Sequence, residues 1–229
     1  MSTVHKSAVL SSYVELGENV CIGPNCTIGL PGYQLGGREL TGSVKRTVIG
    51  NHSIIFGNSV ICQGSTIGHN CRLDYHSFVG ERTAIGNFCV VELGARIYDD
   101  VQIADYSTIS GFVCNGCTIE ENSIVQGDLI HRFNNVRIGE KEKPPSIGPN
   151  CFVGRKALVI GPIKIADGTY IAAGSIVLRD TKPNMFYIGV PAKKAGVAPK
   201  AYLSSNAEFN KLRSFTIDEN IFGNPSPER

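Results

Sequence analysis

The sequence predicts an all-β protein in which one chain winds into a three-sided parallel β-helix. Three observations support this prediction. An aliphatic residue recurs at every sixth position, the next residue is often glycine, and the fourth residue after it is nearly always small. An α-helix repeats about every 3.6 residues and a strand every second residue, so neither explains a six-residue period. A fixed period sustained along a chain indicates a solenoid rather than a sandwich of ordinary strands.

The aliphatic series defines the repeat. It begins at Val4, is interrupted three times and ends at Val177. We expect each member to point into the prism and to stack on its equivalent in the next coil, roughly 4.8 Å away. The members are Val4, Leu10, Leu16, Ile22, Ile28, Ile49, Ile55, Ile61, Ile67, Leu73, Val79, Ile85, Val91, Ile97, Ile103, Ile109, Ile119, Val125, Ile147, Val153, Val159, Ile165, Ile171 and Val177.

Two further positions follow the same period. We expect the small residue to point inward near a corner, where a larger side chain would overpack. We expect glycine and asparagine at the turns, because they accept positive φ. The small residues are Cys26, Ser53, Ser59, Ser65, Cys71, Ser77, Thr83, Cys89, Ala95, Ser107 and Cys151.

The eight cysteines could indicate disulfides or a zinc site. Cys114 and Cys117 are separated by two residues, but no second such pair completes a zinc site. Most of the other cysteines fall on the small position of the repeat. We therefore predict that they are small buried residues.

The composition excludes several classes of function. The chain has 229 residues and a formal net charge of +2, which gives no electrostatic signature for nucleic acid or an anionic membrane. The N-terminus lacks the apolar core of a secretory signal, and no stretch approaches the roughly 18 apolar residues of a membrane span. We expect a soluble, cytoplasmic protein without nucleic-acid or membrane partners.

The interruptions of the repeat predict loops, and loops often carry function. We expect a β-helix over 1–194, with loops at about 30–46 and 126–146, and a brief irregularity at 111–116. The extension 195–229 is predicted to be partly helical and then disordered. The first loop is rich in glycine and contains Tyr33. The third contains His131, at the position where the next aliphatic residue is due.

Three segments carry a resemblance to a known family. They are SIGPNCFVG at 146–154, AAGSIV at 172–177 and GVPAK at 189–193. They resemble the C-terminal signature of the galactoside and xenobiotic acetyltransferase branch of the hexapeptide-repeat acyltransferases. The first loop looks like that of N-acyltransferases that act on nucleotide-linked amino sugars, although packing on a neighbouring subunit would also explain it. The resemblance implies a left-handed helix, a homotrimer with active sites between subunits, and acetyl-CoA as acyl donor. No metal is expected, because His69 and His76 are the only histidines close together in the sequence.

The resemblance also implies site residues. His131 falls where that branch has its catalytic histidine. Phe152 would flank the pantetheine arm, and Ala173 would offer it backbone groups. The phosphates of CoA would meet Arg179 and Lys193, with Arg155 as a weaker candidate. The branch usually has tryptophan at the position of Phe152, and its residues after the histidine differ from those after His131, so the acceptor stays open.

Acyl transfer needs a base for the acceptor and a donor for the developing oxyanion. His131 is the predicted base; the alternatives are His76, His69, or no side-chain base for an amine acceptor. The predicted function is a CoA-dependent acyltransferase, most simply an acetyltransferase, acting on the hydroxyl or amine of a sugar, nucleotide sugar or antibiotic-like molecule. Two other functions stay open: a non-catalytic assembly subunit, and a carbonic-anhydrase-like zinc enzyme, which would need three converging histidines.

Overall fold

The computed structural model describes residues 1–32, 45–132 and 142–199, together with Phe222. Over these residues the chain forms 28 short strands and no helix. The prediction of an all-β, left-handed parallel β-helix is confirmed. Tyr33 and the predicted helix and disordered end of the extension lie outside the described residues.

The strands follow one another at short intervals along the chain. The first fourteen are β1 (Thr3–Val4), β2 (Val9–Leu10), β3 (Val14–Leu16), β4 (Cys21–Ile22), β5 (Thr27–Leu30), β6 (Thr47–Ile49), β7 (Ile54–Ile55), β8 (Val60–Cys62), β9 (Thr66–Ile67), β10 (Arg72–Leu73), β11 (Phe78–Val79), β12 (Ala84–Ile85), β13 (Val90–Val91) and β14 (Arg96–Ile97). The others are β15 (Gln102–Ile103), β16 (Thr108–Ile109), β17 (Phe112–Val113), β18 (Thr118–Ile119), β19 (Ile124–Val125), β20 (Asp128–Ile130), β21 (Ser146–Ile147), β22 (Phe152–Val153), β23 (Leu158–Ile160), β24 (Lys164–Ile165), β25 (Tyr170–Ile171), β26 (Ile176–Val177), β27 (Met185–Gly189) and β28 (Ala192–Val197).

Up to β26, every third strand joins the same sheet, which produces three sheets around one prism. Sheet A has the order β1-β4-β7-β10-β13-β16-β19-β22-β25-β27-β28, sheet B β2-β5-β8-β11-β14-β17-β20-β23-β26, and sheet C β3-β6-β9-β12-β15-β18-β21-β24. All pairs are parallel except β27 with β28, which form an antiparallel hairpin at the C-terminal end. We call the three edges of the prism the A–B, B–C and C–A corners, in chain order.

The aliphatic series forms the core. In the regular coils, partners are 18 residues apart, so that Leu73 pairs with Val91. From Ile22 to Val177, every predicted member of the series is at most 4 % exposed. The first coil has no neighbour on one side, and Val4 is accordingly 40 % exposed. Stacking of like residues therefore holds the coils in register.

The small residues have a second role besides fitting the corners. Ser53 donates its hydroxyl to the carbonyl of Gly68, and Ser65 donates to that of Gly80, each in the next coil. All eight cysteines are buried thiols, as predicted. Six of them belong to the hydrophobic core, whereas Cys21 and Cys62 lie outside it. These side chains satisfy corner groups that would otherwise be buried without a partner.

Positive φ recurs at the corners, as predicted, at residues such as Asn58 and Asn70. Seven described residues with positive φ are neither glycine nor asparagine: His52, His76, Arg82, Phe88, Asp100, Tyr106 and Lys156. Two of them are bulky aromatic residues. Phe88 and Tyr106 have φ of 55° and 61° at the C–A corner, which costs a bulky residue about 1 kcal/mol or more. Their rings stack at 5.2 Å and 12°, and this contact offsets part of the cost.

Two A–B corners are shorter than six residues. The step from Ile109 to the next inward residue, Val113, takes four residues, and so does the step from Val125 to Leu129. A side chain on Gly111 would collide with the carbonyl of Gly127 in the next coil, so these tight corners require glycine. Counting every sixth residue along the sequence therefore misses both inward residues, Val113 and Leu129. Strand β20 therefore lies inside the predicted 126–146 loop, and Leu129, not position 131, enters the core.

Both long loops leave the prism at the B–C corner, one after β5 and the other after β20. The root of the first loop is held by Glu81, which is 2 % exposed. Its carboxylate accepts the Gly32 N–H at 2.9 Å, the Gln63 amide at 3.3 Å and the Arg82 guanidinium at 2.7 Å. Arg82 in turn binds both carboxylate oxygens of Asp100. This network, centred on the buried Glu81, fixes where the first loop leaves the solenoid.

The outward face of sheet A is covered, unlike those of sheets B and C. Its outward side chains are at most 5 % exposed in five coils: Cys21, Ile54, Val90, Thr108 and Phe152. At its C-terminal end, Ala198 donates its N–H to Asn184. Towards its N-terminal end, the ring of Phe222 packs edge-on against Phe56 at 5.6 Å. The outward side chains that are exposed to solvent therefore lie mainly on sheets B and C.

The stacked core predicts a sharp contrast within one strand. Ile97→Ala should lower the free energy of unfolding by about 2–5 kcal/mol, because it empties a fully buried position. Arg96→Ala, on the exposed face of the same strand, should change it by no more than about 0.5 kcal/mol. Urea unfolding followed by circular dichroism measures both; equal losses would contradict the inward stacking.

The acidic B–C corner predicts a pH-dependent change in stability. Burial raises the pKa of Asp99, so the ionised carboxylate is disfavoured in the folded chain. Its oxygen accepts the Glu81 N–H at 2.8 Å, which an asparagine can also do. Asp99→Asn should therefore stabilise the protein at neutral pH, by about 0.5 kcal/mol.

The sign of the Asp99 effect follows from proton linkage. A carboxylate with a raised folded-state pKa loses its destabilising effect as the pH falls and the group takes up a proton. The advantage of Asp99→Asn should thus shrink towards about pH 4 in thermal unfolding experiments. Asp100→Asn is the matched control and should destabilise, because it breaks the 2.7 Å pair with Arg82. A constant advantage at all pH values would contradict the role of burial.

Candidate active site

His131 lies at the B–C corner, directly after β20, where the third interruption leaves the prism. Its Nδ1 atom is 3.9 Å from a carboxylate oxygen of Glu142, and the two side chains are 15 % and 17 % exposed. The sequence places these residues at the two ends of the segment 133–141, which lies outside the described residues. The solenoid thus brings together two residues that the chain separates.

The local fold explains why the pair meets here. Ile130 is still paired with Ile160 of the next coil, which fixes the residue before His131. On the return, Pro145 lies so close to Gly161 that a side chain there would meet the proline ring at 2.7 Å. Glu142 could not be predicted from the sequence, because no spacing rule relates the two ends of a loop.

The residue after His131 connects it to the C-terminal end of the prism. Arg132 donates from its guanidinium to the carbonyl of Leu178 at 2.9 Å. Leu178 belongs to the B–C corner two coils further on, after β26. The start of the third loop is therefore attached to the wall of a cleft.

That cleft has a volume of about 430 Å³ and lies between the last B–C corner and the hairpin β27–β28. Val177 and Tyr187 form its inner part, and the cations Arg179, Lys193 and Lys194 lie at its edge. Its lining residues are Val177, Leu178, Arg179, Asp180, Tyr187, Pro191, Ala192, Lys193 and Lys194. Asp180 also accepts the Lys164 N–H at 2.8 Å. A cleft with three cations at its edge suits a phosphate-bearing ligand.

Three of the predicted contacts lie elsewhere. Phe152 is on the covered outer face of sheet A and is 5 % exposed. Its ring stacks on Tyr170 at 4.5 Å, and Tyr170 contacts Phe186. Arg155 and Ala173 are exposed at the A–B corner. The structure thus places His131 and Arg179 at the same corner of the prism, two coils apart, with Lys193 on the adjoining hairpin. Phe152, Arg155 and Ala173 lie on another side of the prism.

The alternative histidines lie at corners of regular coils. His76 is an exposed A–B corner residue with φ of 59°. His69 lies at the C–A corner, where its Nδ1 accepts the Asn51 N–H at 2.9 Å. It belongs to a ladder in which each corner side chain accepts a backbone N–H from the coil before it. That ladder gives His69 a structural role.

Over residues 1–32, 45–132 and 142–199, no three histidine, cysteine, aspartate or glutamate side chains converge as a metal site would require. In the same part of the chain, no helix is long and apolar enough to cross a membrane.

Comparison with known proteins supports the repeat. Residues 144–179 match the family described as the hexapeptide repeat of succinyl-transferase. The bifunctional protein GlmU of Clostridium botulinum is 28 % identical over 189 residues, covering 76 % of this chain and 38 % of that protein. GlmU of Clostridium kluyveri is 31 % identical over 157 residues, covering 57 % of this chain and 31 % of that protein. The chain thus aligns with about a third of the length of these relatives.

Solved structures support the fold. UDP-N-acetylglucosamine O-acyltransferase (LpxA) from Moraxella catarrhalis superposes with a TM-score of 0.67 at 16 % identity, covering 91 % of this chain and 83 % of that one. The Arabidopsis UDP-N-acetylglucosamine acyltransferase gives 0.50 at 16 % identity, with 94 % and 84 % covered. At such identities the likeness concerns the solenoid, and the galactoside and xenobiotic branch stays a prediction. In its repeat and its solenoid, the chain is similar to the hexapeptide-repeat acyltransferases.

Proposed function

We propose that this protein is a CoA-dependent acyltransferase that uses His131 as general base. The acyl group is most simply acetyl. The acceptor is a hydroxyl or amine of a sugar, a nucleotide sugar or another small molecule. The observation that carries the proposal is the linkage of the His131–Glu142 pair, through Arg132, to the cation-edged cleft.

Glu142 suits a role in orienting His131. A carboxylate on the Nδ1 side favours the tautomer with its proton on Nδ1, which leaves the Nε2 lone pair for the acceptor. His131 then takes the proton from the acceptor as its oxygen or nitrogen attacks the thioester carbonyl. The resulting imidazolium returns the proton to the leaving thiolate. The nearby carboxylate stabilises the imidazolium between these two steps.

The cleft fits the acyl donor in size and charge. Its volume of about 430 Å³ is in the usual range for small-molecule sites. Arg179 and Lys193 would bind the phosphates of CoA, and Lys194 adds a third cation. CoA supplies the activated thioester, and the task of the chain is to hold it so that the carbonyl lies within reach of the acceptor.

The predicted CoA contacts fall into two groups on different sides of the prism, as expected for a site between subunits. Phe152, Arg155 and Ala173 lie away from His131, so one ligand touches both groups only if a second copy supplies one of them. A homotrimer would satisfy this condition. Phe152 is nearly inaccessible in the single chain, and we therefore rank Arg155 and Ala173 above it as contacts.

The base assignment predicts a large loss of turnover in one variant. His131→Ala should lower kcat/KM by about 10²-fold or more, the usual contribution of a positioned base. Release of CoA from acetyl-CoA, followed with a thiol reagent, measures this. The acceptors are simple sugars, amino-sugar nucleotides and antibiotics. Glu142→Gln should give a smaller loss, because the imidazole remains but its orienting charge is removed.

The matched comparison for His131 is His76→Asn. Asparagine occupies equivalent positive-φ corner positions, as at Asn58, so the substitution keeps the fold. Turnover that survives His131→Ala and fails in His76→Asn would transfer the role of base to His76. Turnover unaffected by either variant would indicate an amine acceptor that needs no side-chain base. Absence of CoA binding would favour an assembly subunit.

Substitutions of the cations at the cleft should weaken the binding of acetyl-CoA without slowing the chemical step. Arg179→Gln and Lys193→Gln should each raise the KM for acetyl-CoA about tenfold while kcat changes little, because a charge-assisted phosphate contact contributes about 1.5–3 kcal/mol. Acetyl-pantetheine, which lacks the nucleotide phosphates, should be used equally well by wild type and variants. Lys6→Gln, at the opposite end of the prism, is the control. Equal losses with both donors would contradict phosphate binding at the cleft.

A further inference from the structure

Two thiols that the proposed reaction does not use lie against each other at the B–C corner. The Sγ atoms of Cys114 and Cys117 are 3.4 Å apart, and the side chains are 4 % and 0 % exposed. They flank a turn in which Gly116 has φ of 74° and donates its N–H to Asp99 in the previous coil. Asn115 between them is exposed, so the turn itself lies at the surface.

This corner lies directly beneath the loop that carries His131. Cys114 donates its N–H to Leu129, two residues before His131, at 3.0 Å. On the other side, a side chain on Gly116 would meet the Pro144 ring at 3.6 Å, and Pro144 follows closely after Glu142. The pair of thiols therefore adjoins both ends of the third loop.

A corner of the same shape occurs earlier in the chain, but with only one cysteine. Cys62 and Ser65 flank Gly64, whose φ is also 74°, and Ser65 occupies the inward position that corresponds to Cys117. The Ser65 hydroxyl is buried and bonded to the Gly80 carbonyl at 2.6 Å. A small core residue at this position thus need not be cysteine, and serine at 117 should fold equally well.

We propose that Cys114 and Cys117 are a dithiol that small-molecule disulfides oxidise to an intramolecular disulfide. The end residues of a four-residue turn are less than about 7 Å apart at Cα, within reach of a disulfide. A disulfide needs a sulfur separation of about 2.05 Å, so the two Sγ atoms have to approach by roughly 1.4 Å. Side-chain rotation at the turn supplies most of that movement.

The reaction balances with oxidised glutathione as the oxidant. The Cys114 thiolate attacks one glutathione sulfur, the glutathione S–S bond breaks, and the first glutathione thiolate leaves and takes up a proton. The Cys117 thiolate then attacks the Cys114 sulfur of the mixed disulfide and displaces the second glutathione, which is also protonated. Two thiols of the chain are oxidised and one external disulfide is reduced to two thiols.

The environment makes this oxidation slow and pH-dependent. The hydrogen bond with Cys114, together with burial, raises the pKa of Cys117 well above its ordinary value. Because the thiolate is the attacking species, the rate should increase as the pH rises from neutral towards 9. The buried sulfurs become reachable when this one turn opens locally, which is a smaller event than unfolding of the prism.

Mass spectrometry of the intact, full-length chain tests the proposal. Incubation with oxidised glutathione should remove two hydrogens from the folded protein, and peptide mapping should place the bond between Cys114 and Cys117. Cys117→Ser should lose this product and retain glutathione on Cys114, because the second step has no attacking thiol. Ser65→Cys should gain a second disulfide at the matched corner.

Two results would overturn the proposal. One is a folded wild type that keeps all eight thiols while the guanidine-unfolded chain is oxidised under the same conditions. The other is a bond that maps to different cysteines, such as Cys71 and Cys89 of adjacent coils. The readout is the mass of the chain and not its turnover, so it is independent of the proposed transferase activity.

Discussion

The structure depends on one constraint: every coil has to place three aliphatic side chains directly over those of the coil before. The stack buries nearly all of each inward residue, from Ile22 to Val177. Burial of a side chain of this size contributes about 1.5–3 kcal/mol, and a one-residue slip would turn it outward. The inward stacking is therefore kept in every coil, while the outward faces and the lengths of the corners can change.

A change in the number of residues between two successive inward positions has different consequences at different corners. At the A–B corner, two coils lose two residues, and Gly111 and Gly127 permit the close approach that results. At the B–C corner, long segments are inserted after β5 and β20, and the register of the sheets is still preserved. The prism tolerates an insertion because the cost of closing a loop grows slowly with its length. The B–C corner consequently gathers the Glu81 network, the Cys114–Cys117 pair and His131 along one edge.

The candidate site combines two features of different origin. His131 and Glu142 meet because both ends of one insertion are attached to neighbouring coils. The cleft exists because the repeat ends at Val177 and the hairpin β27–β28 folds back beside the last corner. Arg132 joins the two features through a single hydrogen bond to Leu178. The covered outer face of sheet A, by contrast, encloses Phe152 among aromatic rings and removes it from the surface of the single chain.

The solenoid could be predicted from the amino-acid sequence, because a six-residue period is a local property that each short strand and turn repeats. The same period predicted the core positions from Ile22 to Val177, and local segments led to the prediction of His131, Arg179 and Lys193 as site residues. The period could not reveal Val113 and Leu129, since two shortened corners shift it without leaving a gap in the pattern. The folded chain was needed to see that Glu142 lies beside His131, that Arg132 reaches the cleft, and that Phe152 is buried. These are contacts between residues of different coils, and a period within the chain carries no information about them.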